Sequence, residues 1–257
     1  MQELVSIITP ACNSGKYLEA TIRSVQSQTW ENWEMLIVDD ASTDDTAAIA
    51  QRFAAQDPRI RVIRLAENGG AAVARNRALA ECTGRFVAYL DADDLWKPEK
   101  LRKQVAFMLE NQAAFSCTSY EVIADDGTPL NKYIHMLPRL DYEGFLTHNL
   151  LQTAGIMVDA SKVRREDMVM PDFRRRQDAA TWLQILKAGH VCYGMQEVLA
   201  CYRRSAASLS SNKCKAAMGV WTLYRKVEKL PLIFSCYCFV RYATLAVWKR
   251  IYPRRRG

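Results

Sequence analysis

Short apolar runs rich in β-branched and aromatic residues alternate with stretches of helical spacing through the first hundred positions of this chain. Residues 4–9 predict a strand that stops at Pro10, which cannot continue a central strand. Asn13, Ser14 and Gly15 make a turn. Residues 17–28 then carry Leu18, Ile22 and Val25 at helical spacing. A second strand over 33–38 ends in Asp39 and Asp40, and 41–46 supplies polar cap residues for a helix to about residue 55. A third strand over 60–65 meets Gly69 and Gly70, after which residues 71–80 form a small-residue helix carrying Arg75. The N-terminus of that helix offers amide dipoles to an anion, and Arg75 either adds its fork of donors or is a solvent-exposed charge. The fourth strand, 86–90, runs into Asp91, Asp93 and Asp94. Strand and helix alternating with short connections predicts an α/β fold around a right-handed, mainly parallel sheet.

Beyond the acidic cluster, Lys97-Pro98-Glu99 opens a helix to about residue 111, and 115–123 reads as another strand. Asp126-Gly127 turns it into a hairpin with 128–134. A short helix over 142–149, a strand over 155–158, an arginine-rich loop at 174–176, a helix over 179–187 closed by Gly189, and a strand over 198–203 complete the first 212 residues. A helix over 216–229 then leads to 230–248, apolar apart from Ser235, Arg241 and Thr244. That run is just long enough to cross a bilayer, but Arg241 in its middle and the early Pro231 weigh against a span. The basic residues on both sides suit a helix lying at the headgroups; an ordinary core helix is the other alternative.

Charge sharpens this division. The whole chain of 257 residues carries +7, yet residues 213–257 hold 11 bases against the single acid Glu228, which leaves 24 bases and 27 acids in the rest. The expected organisation is therefore a domain over 1–212 and a basic, membrane-associating helical tail over 213–257. The tail's partner is an anionic membrane surface, and no nucleic-acid partner is expected. The eight cysteines show no Cys-x-x-Cys spacing and no secretory leader precedes them, so they read as reduced core thiols of a cytoplasmic protein. His135, His148 and His190 have no ligand spacing.

The candidate chemistry lies at the end of the fourth strand. A buried parallel strand delivers Asp91, Asp93 and Asp94 to the carboxyl edge of the sheet, where open α/β folds place ligands. Asp91 and Asp93 share strand parity and so face one pocket. Carboxylates this close repel unless a cation sits among them, and Mg²⁺ or Mn²⁺ held by one or two carboxylates plus substrate phosphates meets that need. A solvated acidic turn capping the next helix is the bland alternative.

Val5-Ser-Ile-Ile-Thr-Pro, Val38-Asp-Asp-Ala-Ser-Thr-Asp, Asn68-Gly-Gly with Ala74-Arg-Asn, and Leu90-Asp-Ala-Asp-Asp occur in this order. In that combination the sequence resembles the GT-A fold, family 2 inverting glycosyltransferases that build bacterial O-antigen, capsule and lipopolysaccharide, over about residues 4–210. The resemblance implies that Thr9 and Pro10 line the nucleotide pocket, that Asp39 accepts a hydrogen bond from uracil, and that Arg75 lies beside it. It implies Asp91 near the ribose or the metal, Asp93 holding Mn²⁺ or Mg²⁺ on the donor diphosphate, and Asp94 orienting donor sugar hydroxyls. Gln177-Asp178 before a helix with Trp182 resembles the family's Glu-Asp motif, which makes Asp178 the catalytic base, with a helix N-cap as its structural alternative; Gln177 departs from the family's Glu. Cys201-Tyr-Arg-Arg-Ser with Ser208 and Ser210 resembles a stretch near the metal and diphosphate. It places Arg203 or Arg204 at the phosphates, with Ser205 where the family has a histidine.

The implied activity is a metal-dependent transfer of a sugar from a nucleoside diphosphate donor, a UDP-sugar, to a polyprenyl-diphosphate-linked acceptor at the inner face of the cell membrane. Two other readings compete. A nucleotidyltransferase would also combine an α/β sheet with Mg²⁺, but the glycine-rich, lysine-bearing phosphate loop is missing. A non-catalytic nucleotide-sugar adaptor would keep the same fold.

Overall fold

The computed structural model describes residues 3–148, 151–173, 176–204 and 213–251. Arg174 and Arg175 of the arginine-rich loop, Ser205, Ser208 and Ser210, and the basic residues Arg254, Arg255 and Arg256 lie outside the described residues.

Four strands form the parallel half of the sheet: β1 (Val5–Ala11), β2 (Trp33–Asp39), β3 (Ile60–Arg64) and β4 (Phe86–Tyr89), in the spatial order β3-β2-β1-β4. Helices α1 (Gly15–Gln26), α2 (Thr46–Ala54) and α3 (Ala71–Glu81) make the crossovers. The register aligns the carboxyl ends, with Ala11 beside Asp39 and Asp39 beside Arg64. Alternate residues of the central strands feed two apolar layers: Ile8, Leu36, Val38 and Val87 on one face, Val5, Ile7, Met35, Ile37 and Ala88 on the other. That two-sided burial explains the near-continuous apolar runs in the sequence.

Pro10 lies inside β1, contrary to the expectation that it ends the strand. The reason is local. β4 pairs with β1 only as far as Ile8, whose carbonyl accepts from Leu90 N–H, and Pro10 shares the edge of Ile8. Its missing N–H therefore faces the side that β4 has left, while β2 continues to pair through Ala11.

The second half of the sheet is mixed. It uses β5 (Leu95–Trp96), β6 (Phe115–Ile123), β7 (Pro129–Ile134), β8 (Arg139–Leu140), β9 (Ile156–Asp159) and β10 (Cys192–Arg203), continuing the order as β4-β9-β6-β10-β5. β9 is antiparallel to both β4 and β6, and β10 runs parallel to β6. Two-residue β5 and β8 carry no readable periodicity. β10 begins six residues before the expected start because its first half, with register shifts around Val198, lacks alternation. Helix α4 (Lys100–Glu110) starts later than expected: the peptide groups of Lys97 and Pro98 are taken by Leu199 O and Thr29 N.

Helices α5 (Tyr142–His148) and α6 (Gln177–Lys187) cover this half, followed by α7 (Lys213–Thr222), which continues as a π-helical turn over Leu223–Val227, and α8 (Leu232–Ile251). Val220, Leu223, Tyr224, Leu230 and Cys238 from these last helices join the same buried cluster as α5 and α6. Among the described cysteines, Cys12 and Cys236 are exposed and the other five are buried free thiols.

Trp182 of α6 is fully buried, edge-on to Tyr89 of β4 at 5.1 Å between ring centroids and 5.8 Å from Phe115 of β6. It fixes α6 against the strand that leads to Asp91. Truncating such a residue loses both transfer energy and packing. Trp182→Ala is expected to cost about 3–5 kcal/mol in urea unfolding, and a loss below about 1 kcal/mol would contradict the anchoring role.

Candidate active site

Three loops at the carboxyl edge are tied to one another by main-chain groups. Asn13 N–H donates to Ser42 Oγ at 3.0 Å, Ser14 N–H to Thr46 Oγ1 at 2.7 Å, and Gly15 N–H to Asp44 Oδ2 at 3.0 Å. The Asp40 carboxylate accepts from Gly69 N–H and Gly70 N–H, both at 2.8 Å. Gly70 sits at φ 86°, where a side chain is disfavoured, and is the residue that precedes α3. Asp40 thus meets the amides at the α3 N-terminus, so the anion expected there is one of the chain's own side chains.

Asp39 is wholly buried. Its Oδ1 accepts from Ser42 N–H at 3.2 Å, while its Oδ2 has no hydrogen bond and lies 3.3 Å from Arg64 Nε. Arg64, Ala41, Ser42, Leu65 and Ala66 line a pocket of about 350 Å³ at the ends of β2 and β3. Thr9 is fully enclosed, with Oγ1 unpartnered, and Pro10 beside it is partly exposed.

Asp91, Asp93 and Asp94 do not extend the strand; they occupy a turn in which Asp94 N–H donates to Asp91 O at 3.1 Å. Strand parity therefore does not govern them. Asp91 and Asp93 remain partly exposed, and Asp94 is buried. Asp94 Oδ1 accepts from Arg203 N–H at 2.8 Å. The Arg203 side chain turns to main-chain carbonyls, donating from Nε to Asp93 O at 2.7 Å and from Nη1 to Asp125 O at 2.9 Å, with Tyr17 5.0 Å away on its face. Asp94 and Arg203 together hold the turn in shape. Tyr17 and Lys16 in turn both donate to the Asp125 carboxylate.

Arg75 is the hub. It is buried on the inner side of α3, donates from Nη2 to Asp91 Oδ1, and has Nη1 3.8 Å from Met170 Sδ. Burial works to lower its pKa, and the charges of Asp91 and then Asp178 more than offset that, so the guanidinium is held above its ordinary value. The neighbouring Asn76 clamps the Met170 backbone, donating to its carbonyl at 2.7 Å and accepting from its N–H at 2.8 Å. The arginine and the asparagine of the Ala74-Arg-Asn phrase therefore lock the acidic turn and the approach to α6 to the same helix.

Asp178 lies in the first turn of α6. The residue preceding the helix is Arg176, at φ 64°, and no side chain caps it, so the Asp178 carboxylate is not spent on capping. It accepts instead from Thr153 Oγ1 at 3.4 Å. Thr153 belongs to a 3₁₀ turn, Thr153–Gly155, pinned by Trp96 Nε1 to Ala154 O at 2.7 Å and by Gln104 Nε2 to Gly155 O at 2.9 Å. The preceding Gln177 has a buried, unpartnered Oε1.

Asp40, Arg64 and Thr153 are site residues that the sequence reading did not single out. Asp40 adjoins Asp39 and was open to notice. Arg64 and Thr153 have no motif, and only the fold brings them to Asp39 and Asp178.

The electrostatics of the turn suit a cation. Burial first, and then the Asp91 charge, push the Asp93 carboxyl up to about 6, and burial followed by Asp93 raises Asp94 well above the carboxylate range. No group of three or more ligating side chains occurs among the described residues; the partly exposed Asp91 and Asp93 number the one or two carboxylates by which Mg²⁺ is usually held alongside substrate phosphates. Between about pH 4 and 6 the folded protein holds a proton on Asp93 that the unfolded chain has released. Stability then falls as pH rises through that window. In chelator, Asp93→Asn is expected to match the wild type near pH 4 and to gain on the order of 2 kcal/mol by pH 7 in urea unfolding. Added Mn²⁺ should raise the wild-type midpoint at pH 7 and leave that of the variant unmoved. An equal response of both proteins to Mn²⁺ would contradict the assignment.

Comparison with known proteins shows the family and the fold. Residues 6–171 match the model of the family described as Glycosyl transferase family 2. The chain is 49% identical over 248 residues to the putative teichuronic acid biosynthesis glycosyltransferase TuaG of Bacillus subtilis, covering 96% of this chain and 98% of that protein. It is 31% identical over 255 residues to WfgD of Escherichia coli, a UDP-Glc:alpha-D-GlcNAc-diphosphoundecaprenol beta-1,3-glucosyltransferase, covering 99% and 98%. Among solved structures it is similar in fold to S. aureus TarS 1-349 in complex with UDP-GlcNAc, with TM-score 0.70 and 17% identity over 94% of this chain and 72% of that one. A similar likeness, TM-score 0.71 and 17% identity over 98% and 76%, links it to the Pyrobaculum calidifontis mannosyltransferase PcManGT in complex with GDP-Man and Mn2+. With its α/β sheet of GT-A type and this coverage, the chain belongs to glycosyltransferase family 2.

Proposed function

We propose that this glycosyltransferase moves a sugar from a UDP-sugar to an undecaprenyl-diphosphate-linked acceptor during synthesis of a surface polysaccharide, in one displacement that inverts the anomeric centre. The observation that carries the reading is the buried Arg75, which pairs with Asp91 of a turn suited to a donor diphosphate and lies within electrostatic reach of Asp178, a helix-borne carboxylate not spent on capping. The name of WfgD supports the donor and acceptor class, and that of TuaG a role in polysaccharide biosynthesis.

In this reading the nucleobase enters the pocket beside Asp39, whose Oδ2 lacks a hydrogen bond and accepts from an imide N–H. In the same reading Thr9, enclosed with its Oγ1 unpartnered, and the partly exposed Pro10 belong to the nucleotide site. Asp91 and Asp93 would hold Mg²⁺ or Mn²⁺, which when bound would supply Lewis-acid stabilisation of charge on the diphosphate leaving group. Asp178 takes the proton of the acceptor hydroxyl as its oxygen bonds to the anomeric carbon, while the bond to the diphosphate breaks and the electron pair leaves with UDP. Thr153 holds one Asp178 oxygen and leaves the other to the acceptor. Arg75 pairs with Asp91 and brings a buried positive charge within electrostatic reach of Asp178. Arg203 and Asp94 contribute to donor binding by shaping the turn. The work is done at the inner face of the cell membrane, where such lipid-linked acceptors present their sugars.

Asp178→Asn is expected to lower kcat by about 10²–10⁴, with the Kd for UDP unchanged within about threefold, as measured by product formation and by calorimetry. Full activity of the variant would remove Asp178 from the reaction.

A further inference from the structure

Helix α8 has two unlike faces. Ser235 and Cys238 are fully buried, and Phe239 and Tyr242 pack against the cluster shared with α5 and α6. On the other side Ile233, Tyr237 and Val240, spaced four and three residues apart, are 88%, 52% and 61% exposed, with Leu232 beside them at 57%. Four large hydrophobic side chains in the first nine residues of one helix thus face solvent. Single exposed apolar residues are ordinary; a stripe at helical spacing marks a contact surface.

Charge identifies what covers it. Arg225, Lys226 and Lys229, in the segment that leads into α8, and Arg241 on it are exposed, and Arg241 donates to the Tyr237 hydroxyl at 3.0 Å. Glu228, the one acid in residues 213–257, points inward. It accepts from Tyr142 OH at 2.6 Å and pairs with Lys187 Nζ at 3.4 Å. The positive field around the stripe is therefore unopposed by its own segment. A second copy docking face to face through this stripe would set each basic rim against its own equivalent. No described helix is long and apolar enough to cross a membrane, so α8 does not answer by spanning.

We propose that the outward face of α8 is a membrane contact that lies in the headgroup plane of an anionic leaflet, with Ile233, Tyr237 and Val240 entering the acyl boundary and the basic rim meeting lipid phosphates. Because the inner face of α8 shares one buried cluster with Trp182 and Leu183 of α6, the surface that meets lipid and the helix that carries Asp178 form a single packed unit. A bilayer docked there holds Asp178 at a fixed height above the headgroups, where a lipid-linked acceptor's sugar would stand. That last consequence rests on the transfer reading; vesicle binding does not.

The test is co-sedimentation of the full chain with phosphatidylcholine vesicles, with and without phosphatidylglycerol. The wild type is expected to partition onto the anionic vesicles at least about tenfold more strongly than onto the neutral ones, and a doubled salt concentration should weaken it. Ile233→Glu with Val240→Glu, both at exposed positions, should lower the partition about tenfold or more. Lys226→Glu with Lys229→Glu should do the same, while leaving transfer to a water-soluble acceptor unchanged. Asp178→Asn should bind vesicles like the wild type, which separates failure of this proposal from failure of the transfer reading. Two results would overturn it: vesicle binding by the Ile233/Val240 variant equal to that of the wild type, or a wild-type dimer in solution that this variant splits into monomers.

Discussion

The structure depends on one sealed cation. Arg75 sits buried on the inner side of α3, pairs with Asp91 and lies within electrostatic reach of Asp178. A guanidinium in such a place is stable only while its partners remain, and breaking a buried pair of this kind typically costs about 3–5 kcal/mol. The same guanidinium ties the acidic turn to α3 through Asp91 and touches Met170 on the approach to α6. Each acid would otherwise be free to turn to solvent.

Around that cation the protein is stiffened by main-chain ties. Asp40 holds the glycines before α3, Asn76 holds Met170, Asp94 holds Arg203 N–H, and Arg203 holds the carbonyls of Asp93 and Asp125. Trp182 then clamps α6 onto β4 and β6 through Tyr89 and Phe115. Asp39 Oδ2 and Thr9 Oγ1, both buried without a hydrogen bond, lie at the ends of adjacent strands of that edge. A rigid frame with unsatisfied polar atoms facing inward is what a site for a polar ligand requires.

The parallel half of the fold was legible because its strands are buried on both faces and end in acids, which sets both their length and their polarity. The mixed half was less so. Two-residue β5 and β8 leave no period to read, and the bulged start of β10 breaks its alternation. Pro10 misled because a proline rule for central strands takes no account of a neighbour that stops short. For the site, the acids were visible but their division of labour was not. Asp91 and Asp93 were expected on one strand face and instead share a turn, and the alternative of a solvent-exposed Arg75 gave way to a buried one. Asp178 carried a helix-cap alternative that vanished once α6 was found to begin at Gln177, one residue before it. Thr153 was beyond reach, since only the packing of the 153–155 turn under Trp96 and Gln104 brings its hydroxyl to Asp178.

The most direct measurement of the central claim is a crystal structure of the full chain with a non-hydrolysable UDP-sugar and Mn²⁺. The account predicts the base in the pocket beside Asp39 and Arg64, the diphosphate at the Asp91–Asp93 turn, and the Asp178 carboxylate on the face of the sugar opposite the departing phosphate. A nucleotide seated elsewhere, or Asp178 on the same side as the diphosphate, would contradict it.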